Sequence, residues 1–204
     1  MTKQRYIMSF TAGGLFHRES VKLALLHQEH KDWSALRTIA TSDNLLQTRT
    51  LSTLKRLCRE IISRLKTLST GELDFLLHAT PQEQGYILWL AVCRRHRFIA
   101  EFAIEVLRER YITLKTDLSY EDFDSFFNRK SEWHDELDSI RPATRNKLRQ
   151  VLFRMLREAD LLTADNAINP VMLSVGLLEV ISHGGSQDVL LFPTVESDLR
   201  GIPK

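Results

Sequence analysis

Residues 47–68 constrain the fold most, because their apolar side chains recur at helical spacing over about four turns. On a helical wheel the apolar residues fall within one arc of about 140°. They are Leu54, Leu57, Cys58, Ile61, Ile62, Leu65 and Leu68. The opposite arc is polar and cationic. Such a helix needs other elements to cover its apolar stripe, so the pattern predicts an amphipathic helix at the surface of a helical bundle.

Capping signals mark further helix starts. In a capping box, two side chains three residues apart each bond the other residue's free backbone N–H. The sequence predicts such boxes at Ser69 with Glu72, Thr80 with Glu83, and Ser119 with Asp122. Together with apolar periodicity, these signals predict helices over 18–28, 33–40, 47–68, 71–78, 81–97, 98–114, 120–129, 142–159 and 171–182.

The predicted fold class is therefore all-α, a compact multi-helix bundle. We expect two small helical subdomains, residues 1–115 and residues 116–204. Short apolar runs flank an Asp-Asn turn within residues 161–168, which predicts one short β-hairpin there. A hairpin between two helices near a chain end is compatible with a winged-helix-like C-terminal part.

Composition and motif content limit the classes of protein to which this chain can belong. Charged residues make up 26% of the 204-residue chain and hydrophobic residues 43%, as in ordinary soluble proteins. Cys58 and Cys93 lie too far apart for a CxxC or zinc motif, which favours reduced core cysteines in a cytoplasmic protein. We find no signal-peptide run and no spanning segment of about 20 apolar residues, so no membrane insertion is expected. HExxH, GxSxG, Walker and GxGxxG motifs are absent, which predicts a non-enzymatic protein without cofactor or metal.

Charge is segregated along the chain. Residues 1–70 carry 12 Lys and Arg against five Asp and Glu. Residues 71–140 carry eight against 14, and residues 141–204 carry eight against seven. The net charge of +2 therefore conceals a basic first third and an acidic middle third.

Two predicted helices carry basic rows that suit phosphates, because each ionic contact releases a condensed counterion. The first row is on residues 47–68 and comprises Arg49, Lys55, Arg56, Arg59 and Lys66. The second is on residues 142–159 and comprises Arg145, Lys147, Arg154 and Arg157. We predict these nine as nucleic-acid-binding residues. The alternative is a solvated surface whose charges pair with the acidic middle segment.

Several phrases resemble, in the same order, the BrxA family of bacteriophage-exclusion (BREX) phage-defence systems. They are FTAGGLFHRES, NLLQTRTLSTLKRLCREIISRL, FAIEVLRERY, SYEDFDSFFNRK and TRNKLRQVLFRMLREADLL. The resemblance implies a small, helical, cytoplasmic protein that binds double-stranded DNA and is encoded with a DNA methyltransferase and an ATPase. It implies no catalytic residues.

Three hypotheses follow. The protein is a DNA-binding accessory of phage defence that contacts mainly backbone phosphates. Alternatively, it is an assembly adaptor whose basic faces and acidic segment 117–138 dock other BREX proteins such as the methyltransferase and the ATPase. A third hypothesis is an RNA or single-strand binder, because phosphate attraction does not distinguish these polymers.

Overall fold

Helices make up most of the chain in the computed structural model, which describes residues 5–11 and 13–194. Their bounds are α1 (His17–His30), α2 (Trp33–Ser42), α3 (Leu51–Leu65), α4 (Thr70–His78), α5 (Pro81–Arg95), α6 (Arg97–Phe102), α7 (Glu109–Ile112), α8 (Tyr120–Ser131), α9 (Asp135–Asp138), α10 (Pro142–Glu158) and α11 (Val175–Gly184). A π-helical stretch, Ala103–Arg108, joins α6 to α7, and a 3₁₀ helix, Ser186–Leu191, follows α11. The all-α fold class is confirmed.

Local capping chemistry sets three helix starts as predicted. The capping boxes at Ser69, Thr80 and Ser119 are all formed. Helix α3 begins later than predicted, at Leu51, because the preceding turn has positive φ at Gln47 and the Thr50 side chain caps the helix.

Helix α5 lies at the centre of the fold, because its residues from Gly85 to Cys93 are all buried. A helix that is apolar on every side must be enclosed by other elements. Helices α1, α3, α4, α6 and α10 pack against it. The indole N–H of Trp89 donates to the carbonyl of Leu191, 3.0 Å away, which ties the 3₁₀ helix to this centre.

Five phenylalanine rings join α6 to α8. Phe98 and Phe102 meet rings on α8 at centroid distances of 5.1–6.0 Å, in mostly edge-to-face contacts. The α8 rings, Phe123, Phe126 and Phe127, are therefore core residues, as their helical spacing predicts. Buried residues on both sides of residue 115 belong to one continuous hydrophobic cluster. The division into subdomains 1–115 and 116–204 stays a prediction.

Residues 161–168 form a turn with one antiparallel bridge, between Leu162 and Ile168. A second isolated bridge joins Asp117 to Ala167. Neither bridge extends into a strand anywhere in the described part of the chain, so the β-hairpin and the winged-helix-like part are not confirmed. Within residues 5–11 and 13–194, no helix combines the length and the apolar character needed to cross a membrane.

A partly buried ion-pair network closes one side of the core. The Arg94 guanidinium contacts carboxylate oxygens of Glu72 and Asp188, each at 2.7 Å. Glu72 has no solvent exposure, and its carboxylate also accepts the Ser69 backbone N–H of the α4 capping box. Arg94 thus holds α5, α4 and the 3₁₀ helix together through one cation.

Replacing Arg94 with Met should leave the Glu72 carboxylate buried without its cation. We expect the free energy of unfolding to fall by about 3–5 kcal/mol, measured by urea denaturation. The matched control is Arg129→Met, which removes an exposed pair with Glu105 and should cost less than about 1 kcal/mol. Equal effects of the two substitutions would contradict a stabilising role for the Arg94 network.

Candidate functional site

Helix α3 presents a row of exposed cations on the side opposite its buried face. The row comprises Lys55, Arg56 and Arg59 together with Lys66, the residue directly after α3, and is named here the α3 cationic face. The buried side comprises Leu54, Cys58, Ile61, Ile62, Arg64 and Leu65. Arg49, in the turn before α3, is also exposed. Within the residues that the structure describes, none of these five cations has an ion pair.

A buried polar network fixes how α3 sits in the fold. Arg64 is 3% exposed and donates through Nε to Glu60 Oε1 at 2.9 Å and through Nη1 to the Gly14 carbonyl at 2.9 Å. The same Glu60 oxygen lies 3.1 Å from His96 Nε2, while His96 Nδ1 lies 3.2 Å from the Ile7 carbonyl. Both nitrogens of the buried His96 ring therefore face oxygen atoms.

The same contacts determine the ionisation of Glu60. Burial by itself would raise the pKa of Glu60, but the hydrogen bond from His96 and the charge of Arg64 outweigh it and lower the pKa to about 2. Glu60 is therefore a carboxylate at neutral pH, and it neutralises the buried Arg64 guanidinium.

The outer side of α10 differs from that of α3, because several of its cations have partners. Arg145 Nε lies 3.0 Å from Asp124 Oδ1, and its guanidinium stacks over the Phe127 ring at 4.4 Å. Arg149 pairs with the same Asp124 carboxylate and lies 4.7 Å from the centre of the Tyr120 ring. These two arginines therefore attach α10 to α8.

The remaining predicted α10 residues divide into bonded and unbonded cations. Arg154 pairs with Glu158 at 2.6 Å but keeps 63% of its side chain exposed. Arg157 is half-buried and donates to Asn166 Oδ1 at 2.6 Å. Lys147 is exposed and has no ion pair in the described part of the chain. Three of the four cations predicted on α10, Arg145, Arg154 and Arg157, therefore bond other residues of the protein.

One peptide group links the two basic helices. The Gly14 carbonyl accepts from Arg64 on α3, and the N–H of Leu15 donates to the Glu158 carboxylate on α10. A Cβ on Gly14 would lie 2.1 Å from a Glu158 carboxylate oxygen, so a larger residue would require this carboxylate to move from its place beside the Leu15 N–H. Sequence reasoning missed these contacts, although the i, i+4 spacing of Glu60 and Arg64 was visible.

The basic residues 94–97, at the C-terminal end of α5, make their contacts within the protein. Arg94 belongs to the Glu72 network, and Arg95 Nε donates to the Ser63 hydroxyl at 3.2 Å. His96 bonds Glu60, and Arg97 pairs with Glu101 at 2.6 Å. This run consequently stabilises helix packing.

Within the residues that the structure describes, the fold and this surface define a small all-helical protein whose α3 cationic face has no ion pairs. In the part of the chain that the structure describes, no three metal-ligating side chains cluster, and Cys58 and Cys93 are buried free thiols.

Comparison with known proteins identifies the family. The BrxA family model matches residues 4–184, so the chain belongs to the BrxA family of BREX phage-defence systems. The chain is 25% identical to the BREX protein BrxA of Bacillus cereus (strain H3081.97), over 89% of this chain and 90% of the relative. It is 24% identical to the BREX protein BrxA of Escherichia coli O9:H4 (strain HS), over 91% and 88% respectively.

A solved structure shares the fold. The crystal structure of an uncharacterized protein from Magnetospirillum magneticum superposes with a TM-score of 0.80. The match covers 93% of this chain and 98% of that one, at 20% sequence identity. Its similarity therefore extends to the whole helical arrangement.

The Glu60 network makes a testable prediction about stability and pH. Because folding lowers the pKa of Glu60 from its ordinary 4.5, its contribution to stability is full above that value. The contribution is lost as pH falls toward about 2. We expect Glu60→Gln to lower the free energy of unfolding at pH 7 by about 3 kcal/mol and to flatten its decline between pH 4.5 and 2.

Urea denaturation across this pH range measures both effects. Glu132→Gln, at an exposed carboxylate, is the matched control and should change the free energy of unfolding by less than about 0.5 kcal/mol. A Glu60→Gln variant with the stability and pH profile of the wild type would show that the network does not hold α3.

Proposed function

We propose that this protein is a non-enzymatic, DNA-binding accessory of its BREX system and acts in the cytoplasm. The α3 cationic face and Arg49 contact backbone phosphates of double-stranded DNA. The supporting observation is that these exposed cations have no ion pair in the described part of the chain. A phosphate can therefore approach without displacing an internal carboxylate.

The dimensions of the face suit a duplex. From Lys55 to Lys66 the helix rises about 17 Å, at about 1.5 Å per residue. That length equals the rise of about five base pairs, at about 3.4 Å per pair. Contacts of this kind position a protein on DNA but carry no base information, so we expect similar affinity for different sequences.

On α10 we assign weaker contributions to DNA binding. Lys147 and Arg154 are exposed enough to add phosphate contacts. Arg145 and Arg157 would first have to release Asp124 and Asn166, so their substitution should affect helix packing more than DNA binding.

Simultaneous replacement of Lys55, Arg56 and Arg59 with Ala tests this proposal. Alanine suits an exposed helix position, so the variant should fold. We expect weaker binding to duplexes of any sequence. The slope of log K against log salt should become shallower by about 0.9 per lost contact.

The matched control replaces Arg18, Lys22 and Lys115 with Ala, because these are exposed cations outside α3. Fluorescence anisotropy over a salt series measures affinity and slope for all three proteins. If the α3 variant and the control lose equal affinity, net charge rather than the α3 cationic face governs binding. An unchanged slope would remove α3 from the interface. Competition of duplex DNA against RNA at matched salt decides between the DNA and RNA hypotheses.

A second candidate function is assembly with other BREX proteins, the methyltransferase and the ATPase that the family resemblance implies. Exposed carboxylates on and around α8 and α9 favour it: Glu121, Glu132, Asp135 and Asp138. Pull-down with the other products of the operon, using wild type and a variant with these four neutralised, tests this surface. Full phage resistance in the Lys55, Arg56 and Arg59 variant would favour the adaptor function over DNA binding.

A further inference from the structure

An open groove of about 680 Å³ lies between α2 and α3, beside the α3 cationic face. Arg37, Thr38 and Thr41 line it from α2, and Leu51 and Lys55 line it from α3. Lys55 belongs both to this groove and to the α3 cationic face, so the two surfaces are continuous. The lining contains two cations and no carboxylate.

Helical periodicity explains why α2 turns hydroxyls and a cation toward the groove. Ser34, Arg37, Thr38 and Thr41 follow one another at spacings of three, one and three residues, which places them on one side of the helix. Leu36 and Ala40 are buried on the other side. Arg37 is exposed and has no ion pair within the described residues.

The acids of α2 lie at its ends and are engaged there. Asp32 caps the helix by accepting the backbone N–H groups of Ser34 and Ala35, and these bonds lower its pKa. Asp43, just beyond the C-terminal end, accepts the Ser42 hydroxyl at 2.8 Å. No carboxylate lines the groove, and neither Arg37 nor Lys55 has an ion pair in the described part of the chain.

We infer that this groove binds one phosphodiester strand of the DNA, an assignment that rests on the proposed function. Arg37 and Lys55 contact phosphate oxygens, and the Thr38 and Thr41 hydroxyls donate further hydrogen bonds. In the free protein these hydroxyls donate to carbonyls of their own helix, at 3.2 Å for Thr38 and 2.6 Å for Thr41. A hydroxyl that rotates toward a phosphate exchanges a neutral carbonyl acceptor for a charged phosphate oxygen.

Leu51 gives the groove an apolar edge that fits this ligand. Its side chain is 56% exposed at the first position of α3. A sugar–phosphate strand presents apolar deoxyribose surface between its charged groups, so Leu51 contacts sugar while its neighbours contact phosphate.

Two single substitutions separate charge from hydrogen bonding in this groove. Arg37→Ala should weaken binding to a 20-base-pair duplex by about five- to tenfold and should make the salt slope shallower by about 0.9. Thr38→Val keeps the charge and nearly the shape, so it should weaken binding by about two- to fivefold with an unchanged slope. Arg37→Lys should recover the slope.

Matched controls exist for both substitutions. Thr113→Val removes an exposed hydroxyl that, like that of Thr38, donates to the carbonyl four residues earlier. Arg18→Ala removes an exposed cation from α1. Both controls should retain wild-type affinity and slope in the same anisotropy series.

The outcomes distinguish the groove from the wider proposal. If the α3 triple variant loses DNA binding while Arg37→Ala and Thr38→Val bind like wild type, the groove assignment is wrong and the proposed function stands. If the wild type shows no salt-dependent DNA binding, both the groove assignment and the proposed DNA-binding function are wrong. Loss of affinity in Arg37→Ala with an unchanged slope would also overturn a phosphate contact at Arg37.

Discussion

Glu60 accepts hydrogen bonds from Arg64 and His96, and the orientation of α3 depends on this pair of contacts. The apolar arc of α3 alone would tolerate small rotations about the helix axis, because hydrophobic burial is not directional. Hydrogen bonds to a buried guanidinium and imidazole are directional. Rotating α3 would leave Arg64 buried without a counterion, so the network determines which side chains face outward.

The Arg64 contacts also connect the two basic helices, α3 and α10. Arg64 bonds the Gly14 carbonyl, and the N–H of the same peptide group bonds Glu158 on α10. On α3 the outward cations have no ion pair with any described residue, whereas on α10 Asp124 and Glu158 pair with Arg145, Arg149 and Arg154. A phosphate approaching a paired arginine must compete with an internal carboxylate. The two rows look alike in sequence, but the structure makes them electrostatically different.

The features that the sequence predicted correctly depend on interactions between nearby residues. The features that it missed depend on packing between helices that are distant in sequence. The α3 stripe and the three capping boxes depend on residues within one or two helical turns, so local spacing was enough to predict them. The pairing of Asp124 with Arg145 requires α8 to lie against α10, and no local signal encodes that packing. The groove likewise depends on how α2 lies against α3. The short runs around residue 165 predicted a hairpin, but the described residues there form two isolated bridges and no strand.

The acidic middle third explains why net charge describes this protein poorly. Several of its carboxylates pair within their own region or with α10, for example Glu101 with Lys130, Asp122 with Arg110, and Asp124 with Arg145. Residues 33–59, by contrast, contain five Lys and Arg and a single acid, Asp43. At physiological salt, screening acts over about 8 Å, so a phosphate responds mainly to its nearest charges. Within the residues that the structure describes, the exposed cations of α2 and α3 have no ion pairs, so this part of the surface is basic despite the near-neutral total.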